Sequence, residues 1–146
     1  MLAVTVLVPV PEPPPRPEPP ALMGERATLE AWLEFHRATL LARCAGLDGE
    51  QLAMRSAPPS TLSLLGLVRH LTDVERGWFL RRWTNDFSPL HWSADNPDGA
   101  FDDVDPARAR QDVETYVSAV RCVGRRRPGM TSRRSCRGGP RTPMAS

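Results

Sequence analysis

The sequence predicts an all-α protein, a helix bundle. Three separate segments place apolar residues at helical spacing, and residues typical of a helix start precede them. The 146-residue chain is 40% hydrophobic, which is enough for one domain with a packed core. Amphipathic helices of this kind bury their apolar stripes against one another. The three faces are wide enough for a fourth helix, which the sequence does not provide.

The first predicted helix runs from about Glu25 to Gly46. An α-helix turns by about 100° per residue, which puts Leu29, Trp32, Leu33 and Leu40 near His36 on one face. We therefore expect His36 to face the core, as a hydrogen-bonded core histidine rather than a substrate contact. A short helix should follow Asp48, because Gln51 three residues later completes a capping box.

The second predicted helix runs from about Leu62 to Thr84, after N-cap hydroxyls in "PPSTLS". Arg69 lies opposite its apolar stripe and is expected to face solvent. His70 lies beside the stripe. Ser63, Gly66 and Gly77 lie on the same side of the helix as His70. A glycine in a helix lowers stability by roughly 1 kcal/mol relative to alanine. The small residues predict space near His70 for a close neighbour or a ligand. The stripe consists of Leu64, Leu67, Leu71, Val74 and Trp78, and Thr72 and Arg76 lie opposite it with Arg69.

A long acidic loop, "NDFSPLHWSADNPDGAFDDVD", separates the second and third helices. Loops of this length are often functional or mobile. His91 is expected to face solvent, and with Trp92 it is a candidate for the mouth of a pocket. A calcium loop is disfavoured, since Ala94 would occupy the first ligand position. Asp105 and Pro106 then begin a third helix with one apolar face: Val113, Tyr116, Val117, Val120 and Val123.

Charge and composition divide the chain into three parts. Residues 1–20 form a proline-rich arm, expected to be flexible, residues 21–123 the helical domain, and residues 124–146 a disordered basic tail. The first 120 residues hold 11 arginines and all 17 acids, whereas residues 121–146 hold 8 arginines and no acid.

Three cysteines without a CxxC pair argue against a disulfide framework or a zinc finger. Neither a signal peptide nor a membrane span is indicated, so we expect a cytoplasmic protein.

Three stretches together resemble the DinB/YfiT-like superfamily, in particular a branch of unassigned function from high-GC bacteria that is sometimes labelled mini-circle protein. These stretches are "PPALMGERATLEAWLEFHRATLLARCAGLDGEQL", "PPSTLSLLGLVRHLTDVERGWF" and "PLHWSADNPDGAFDDVD", and the resemblance covers about residues 19–120. It implies an up-down four-helix bundle with a metal site of three side chains, usually histidines. Better-known relatives are metal-dependent thiol transferases and isomerases that use small bacterial thiols, so the resemblance implies either transfer of a small thiol or hydrolysis.

The resemblance implies that His70, in "LVRHL", matches the first metal ligand, with Zn²⁺ or Ni²⁺ as the cofactor. The possible pocket around it comprises His36, Ser63, Gly66, Gly77 and Trp92. The alternative is a structural histidine that borders the core. The other two ligands should come from an HxxxH pair on helix four, but no HxxxH occurs and no histidine follows His91. The ligand set is therefore expected to be incomplete and the chain inactive.

The abrupt loss of pattern after Val123 suggests a shifted reading frame that replaces the fourth helix, so the chain is expected to be truncated. This hypothesis is preferred to a purposeful nucleic-acid-binding tail, although eight arginines would attract phosphate. The nucleotide sequence of the locus tests it. A non-catalytic interaction protein is the alternative function, since three apolar faces without a fourth helix could be covered by a homodimer.

Overall fold

The computed structural model describes residues 6–10, 12, 16, 18–21, 24–84 and 87–124. The chain forms α1 (Glu25–Cys44), α2 (Gly49–Ala53) and α3 (Leu64–Val74), which continues through a π-helical turn (Glu75–Leu80) into α4 (Arg81–Thr84). A short α5 (Gly99–Asp102) and a 3₁₀ turn (Pro106–Arg108) precede α6 (Ala109–Gly124). Within these ranges no strand forms, and Leu7 and Asp48 make one isolated bridge. The all-α prediction is confirmed.

The predicted helix starts are confirmed by their side-chain caps. Asp48 Oδ1 accepts the Gln51 N–H at 2.8 Å, and Gln51 Oε1 accepts the Asp48 N–H at 3.0 Å. Ser63 Oγ accepts the Gly66 N–H at 3.0 Å at the start of α3. Asp105 Oδ1 accepts the Ala107 N–H at 2.9 Å where the 3₁₀ turn begins. Each cap satisfies a backbone donor that the first turn leaves without a partner.

The central helix of the fold is α3, which packs against α1, α2, α5 and α6. The predicted apolar face of α6 is confirmed, because Val113, Tyr116 and Val117 are buried. The core residues come from all of the longer elements and from the N-terminal segment: Val8, Leu40, Cys44, Leu52, Leu65, Val68, Ala109, Val113, Tyr116 and Val117.

The prediction for the faces of α3 is wrong. Arg69 and Thr72, which were expected to face solvent, are buried, as are Asp73 and Glu75. The stripe from Leu64 to Val74 is only half-buried, and Trp78 is 61% exposed. The physical reason is that the buried polar groups have partners in α1, α6 and the long loop, which a single helix cannot reveal.

The prediction for α1 is wrong in the same way. His36 is exposed, and its ring stacks on Trp32 at 5.7 Å between centroids. Arg37 is buried and forms a two-point ion pair with Glu75, with Nε 2.7 Å from Oε1 and Nη2 also bonded to Oε2. This pair joins α1 to the π-helical turn. Leu40 faces the core as expected, whereas Leu29 is 65% exposed.

The ends of the chain are described only in part. Val8, in the predicted arm, is buried in the core, and its N–H donates to the Leu47 carbonyl at 3.0 Å. The domain limits at residues 20 and 123 remain predictions, and residues 125–146 lie outside the described residues. Cys44 is a free, buried thiol, whereas Cys122 is disulfide-bonded. Among the described helices, none has both the length and the apolar character that crossing a membrane requires.

Candidate functional site

A buried polar cluster forms where the long loop crosses α3 and meets α6. The loop, residues 87–105, is here called the strap. Asp73 of α3 is its main anchor: Oδ2 accepts the N–H groups of His91 at 2.9 Å and Trp92 at 3.3 Å, and Oδ1 lies 2.8 Å from His91 Nδ1. A carboxylate with three such donors holds the strap backbone and the imidazole in one orientation. His91 was expected to face solvent, and this expectation is wrong, because its side chain is only 18% exposed.

Arg69, one turn before Asp73, supplies a second anchor. Its Nε donates to the Ala100 carbonyl at 3.0 Å, and its Nη2 donates to the Gly99 carbonyl at 2.9 Å. Both carbonyls belong to the start of α5 within the strap. Gly99 permits a close turn here, because a Cβ at this position would lie 2.5 Å from the His91 carbonyl oxygen. The fixed charge of arginine makes this anchor independent of pH.

Asp112 of α6 closes the cluster and is the one acid in it without a good hydrogen bond. Its Oδ2 is buried without a hydrogen-bond partner and lies 3.6 Å from Arg69 Nη1, and its Oδ1 lies 3.9 Å from His91 Nε2. Burial raises the pKa of Asp112, and the charges of Arg69, His91 and Arg108 oppose that rise only in part. Asp112 Oδ1 and His91 Nε2 therefore face each other beyond hydrogen-bond distance, as an ion pair that forms when His91 is protonated.

His70, the predicted metal ligand, lies on the outer surface next to the strap. Its imidazole is exposed and stacks on Phe101 of α5, with the ring centroids 5.2 Å apart and the planes at 30°. Gly66 allows this approach, since a Cβ there would lie 3.0 Å from Phe101 Cδ1. The space predicted beside His70 is thus filled on one side by the strap, and the role of His70 as a ligand remains a prediction.

The other predicted pocket residues lie on separate elements. Ser63 acts as the N-cap of α3, and the space beside Gly77 is open, because no atom lies within 4 Å of a Cβ built there. The Trp92 side chain is 50% exposed, and the exposed His36 lies on α1. A shallow cavity of about 580 Å³ lies elsewhere, between α2 and the end of the strap. Its lining consists of Glu50, Gln51, Ala53, Met54, Arg55, Asp102, Val104 and Pro106, and so includes none of the predicted site residues.

A metal centre requires ligands that converge, and the described residues do not provide them. Among them, no three histidine, cysteine, aspartate or glutamate side chains are grouped so as to hold a metal ion. The residues outside the described ranges contribute only Asp86 and Cys136 of these four types. Structural and catalytic zinc sites use at least three protein ligands. The donor set that the described residues place around His70 therefore does not fit a zinc or nickel centre.

Two core side chains, Cys44 and Tyr116, could act as nucleophiles in their ionised forms. Burial disfavours ionisation of both. Burial raises the pKa of the Cys44 thiol to about 11. Burial, followed by the nearby charge of Glu75, raises the pKa of Tyr116 to about 12. Thiolates and phenolates are the reactive forms, so neither side chain is an activated nucleophile near neutral pH.

Sequence reasoning missed Asp73, Asp112 and the burial of Arg69. One signal was available: Arg69 and Asp73 are four residues apart and share a face of α3 with the small polar Thr72. A solvated face has the same pattern, so the signal could not identify the partners. The partners of Arg69 are a backbone turn of the strap, 30 and 31 residues further along the chain, and Asp112 on another helix.

Comparison with known proteins gives one result. The sequence model of a protein family described as mycothiol-S-transferase matches residues 28–133, which is most of the chain. No curated protein and no solved structure matches. The matched region includes α1 from Thr28 onward and the whole of α3, the strap and α6.

Proposed function

Because the chain belongs to the mycothiol-S-transferase family, a DinB-like family, we propose that it is a small-thiol transferase-type protein that presents only one edge of a reactive centre. The one side chain that it contributes to such a centre is His70, whose ring is oriented by its stack on Phe101. The single observation that supports this proposal is the exposed position of His70 without a converging set of ligands in the described residues. The substrate class is a small bacterial thiol such as mycothiol.

Transfer of a thiol to an electrophile needs the thiolate, and a free thiol has a pKa of about 8.5. A metal ion with three protein ligands and an open position would lower that pKa when bound. His70 alone can contribute one imidazole nitrogen, which gives weak, nonspecific metal binding. We therefore expect the chain itself to accelerate thiol transfer little or not at all.

The test is the rate at which mycothiol is conjugated to a fluorogenic alkyl halide, with and without added Zn²⁺. Wild type, His70→Ala and His36→Ala are compared. His36→Ala is the matched control, because His36 is also exposed and also stacks on an aromatic ring. The proposal predicts the same rate for all three proteins. A zinc-dependent acceleration by wild type and His36→Ala that His70→Ala lacks would show a complete centre and overturn the proposal.

A second candidate function, a helical homodimer, is favoured by apolar side chains that α1 and the π-helical turn leave exposed. Leu29 is 65% exposed, Trp32 38%, Leu33 37% and Trp78 61%. Large exposed apolar groups on neighbouring elements are typical of interaction surfaces. We expect Trp32→Glu to shift the sedimentation coefficient from dimer to monomer. Met54→Glu is the control, because Met54 is 60% exposed but lies after α2. A monomeric wild type would contradict this candidate.

A further inference from the structure

We propose that a proton on the His91–Asp112 pair strengthens the attachment of the strap to α3 and α6, so that this attachment weakens as the pH rises. The strap spans residues 87–105, and the two groups of the pair belong to the strap and to α6. The proposal concerns the attachment of the strap and does not depend on any catalytic activity.

The position of the proton follows from the partners of the imidazole. His91 Nδ1 lies 2.8 Å from the Asp73 carboxylate, which can only accept, so Nδ1 carries a hydrogen. In neutral His91 the other nitrogen, Nε2, is then a hydrogen-bond acceptor. Nε2 lies 3.9 Å from Asp112 Oδ1. A movement of about 1 Å would bring the two atoms within hydrogen-bond distance.

Without an added proton, an imidazole lone pair faces a buried carboxylate, and neither atom can donate. With one proton on Nε2 or on the Asp112 carboxyl group, a hydrogen bond joins the strap to α6. Asp112 has only 4% of its surface exposed, and its Oδ2 makes no hydrogen bond, so water cannot easily replace the missing contact. The protonated pair therefore favours the attached strap.

The other charged groups around the pair come from α3 and from the segment before α6. On α3, Asp73 bonds His91, and Arg69 lies 3.6 Å from Asp112 Oδ2. Arg108 interacts electrostatically with Asp112 from the 3₁₀ turn. The two arginines keep their charge at every pH of interest. The His91–Asp112 pair gains an attraction with this proton, and the contact of His91 with Asp73 gains charge from the same proton. The bonds of Arg69 to Gly99 and Ala100, of Arg76 to Pro89 and of Arg81 to Ser88 do not depend on it.

Detachment of the strap would change the surroundings of His70. Phe101 belongs to the strap and covers one face of the His70 imidazole at 5.2 Å. A loosened strap would uncover that face at higher pH. This consequence rests on the proposed function of His70, whereas the proton-dependent attachment does not.

Hydrogen–deuterium exchange of the full chain tests the proposal through the strap amides, with rates corrected for intrinsic exchange between pH 5 and 8. We expect protection of the strap amides in wild type to fall about 5-fold over this range, the equivalent of one hydrogen bond. Asp112→Asn should keep the protection of acidic wild type at all pH values, because its amide donates to Nε2 without titrating. His91→Gln should make protection independent of pH, and His36→Gln should behave as wild type.

Either of two results would overturn the proposal: strap protection in wild type that does not change with pH, or an unchanged pH dependence in both Asp112→Asn and His91→Gln. A second measurement addresses His70 separately, through its carbethoxylation rate at pH 8 followed by peptide mass spectrometry. Faster modification in wild type than in Asp112→Asn supports the link to His70. Equal rates, with pH-dependent strap protection intact, would refute the link and leave the proton-dependent attachment standing.

Discussion

Arg37 and Glu75 form a buried two-point ion pair that ties α1 to the π-helical turn, and each side chain is only 6% exposed. A paired guanidinium and carboxylate satisfy each other, and Arg37 also bonds the more exposed Glu34 at 2.8 Å. Glu75 lies in a helix turn with an extra residue, a feature frequent at functional sites. In this chain the ion pair fixes α1 against the π-helical turn that follows α3.

Removal of one partner of this pair should destabilise the fold strongly. We predict that Glu75→Gln lowers the free energy of unfolding by about 1.5–3 kcal/mol, since Arg37 loses its buried carboxylate partner and keeps only the more exposed Glu34, 2.8 Å from Nη1. The double variant Arg37→Met, Glu75→Leu should recover most of that loss. Urea denaturation measures all three proteins. Equal destabilisation by the single and double variants would contradict the predicted coupling.

Two glycines offer a matched pair of substitutions with opposite predicted signs. Gly99→Ala places a Cβ 2.5 Å from the His91 carbonyl oxygen, so the strap must shift, at a cost of about 1–3 kcal/mol. Gly77→Ala meets nothing within 4 Å and replaces a helical glycine, so it should stabilise by up to about 1 kcal/mol. Thermal unfolding compares both with wild type. Similar effects of the two substitutions would contradict the close contact at Gly99.

The raised pKa of Asp112 makes a prediction about the pH dependence of stability. A carboxyl group whose pKa is higher in the folded state contributes stability below its unfolded pKa, and this contribution is lost as the pH rises through the folded pKa. The unfolding free energy of wild type should therefore fall relative to Asp112→Asn as the pH rises above about 4. Asp98→Asn, at an exposed strap position, is the control. A difference between wild type and Asp112→Asn that is constant with pH would contradict the assignment.

The Cys44 thiol should be inert in the folded protein. It is 0% exposed, and burial raises its pKa to about 11. At pH 8 roughly one thiol in a thousand would then be ionised, and reagent cannot reach it. Iodoacetamide labelling with peptide mass spectrometry should find Cys44 modified only after urea unfolding. Rapid labelling of native protein would show that the core around α1 opens.

Helix positions and caps were predictable because they depend on neighbours in the sequence. Asp48 with Gln51, Ser63, and Asp105 with Pro106 each act within one turn, and each is confirmed. The apolar face of α6 was predictable as well. The polar faces of α1 and α3 were not, because Arg37, Arg69 and Asp73 are buried by partners far along the chain. A helical wheel assigns charged residues to solvent, and only the tertiary structure shows that these charges are paired.

The central claim is that His70 is a single candidate ligand and not part of a complete metal centre. The metal content of the purified full chain tests this claim most directly. Zinc and nickel are each added in excess, and the protein is passed through gel filtration before elemental analysis. We expect well below one bound metal ion per chain, and the same metal content for wild type, His70→Ala and His36→Ala. One tightly bound ion per chain in wild type and His36→Ala, absent from His70→Ala, would contradict it.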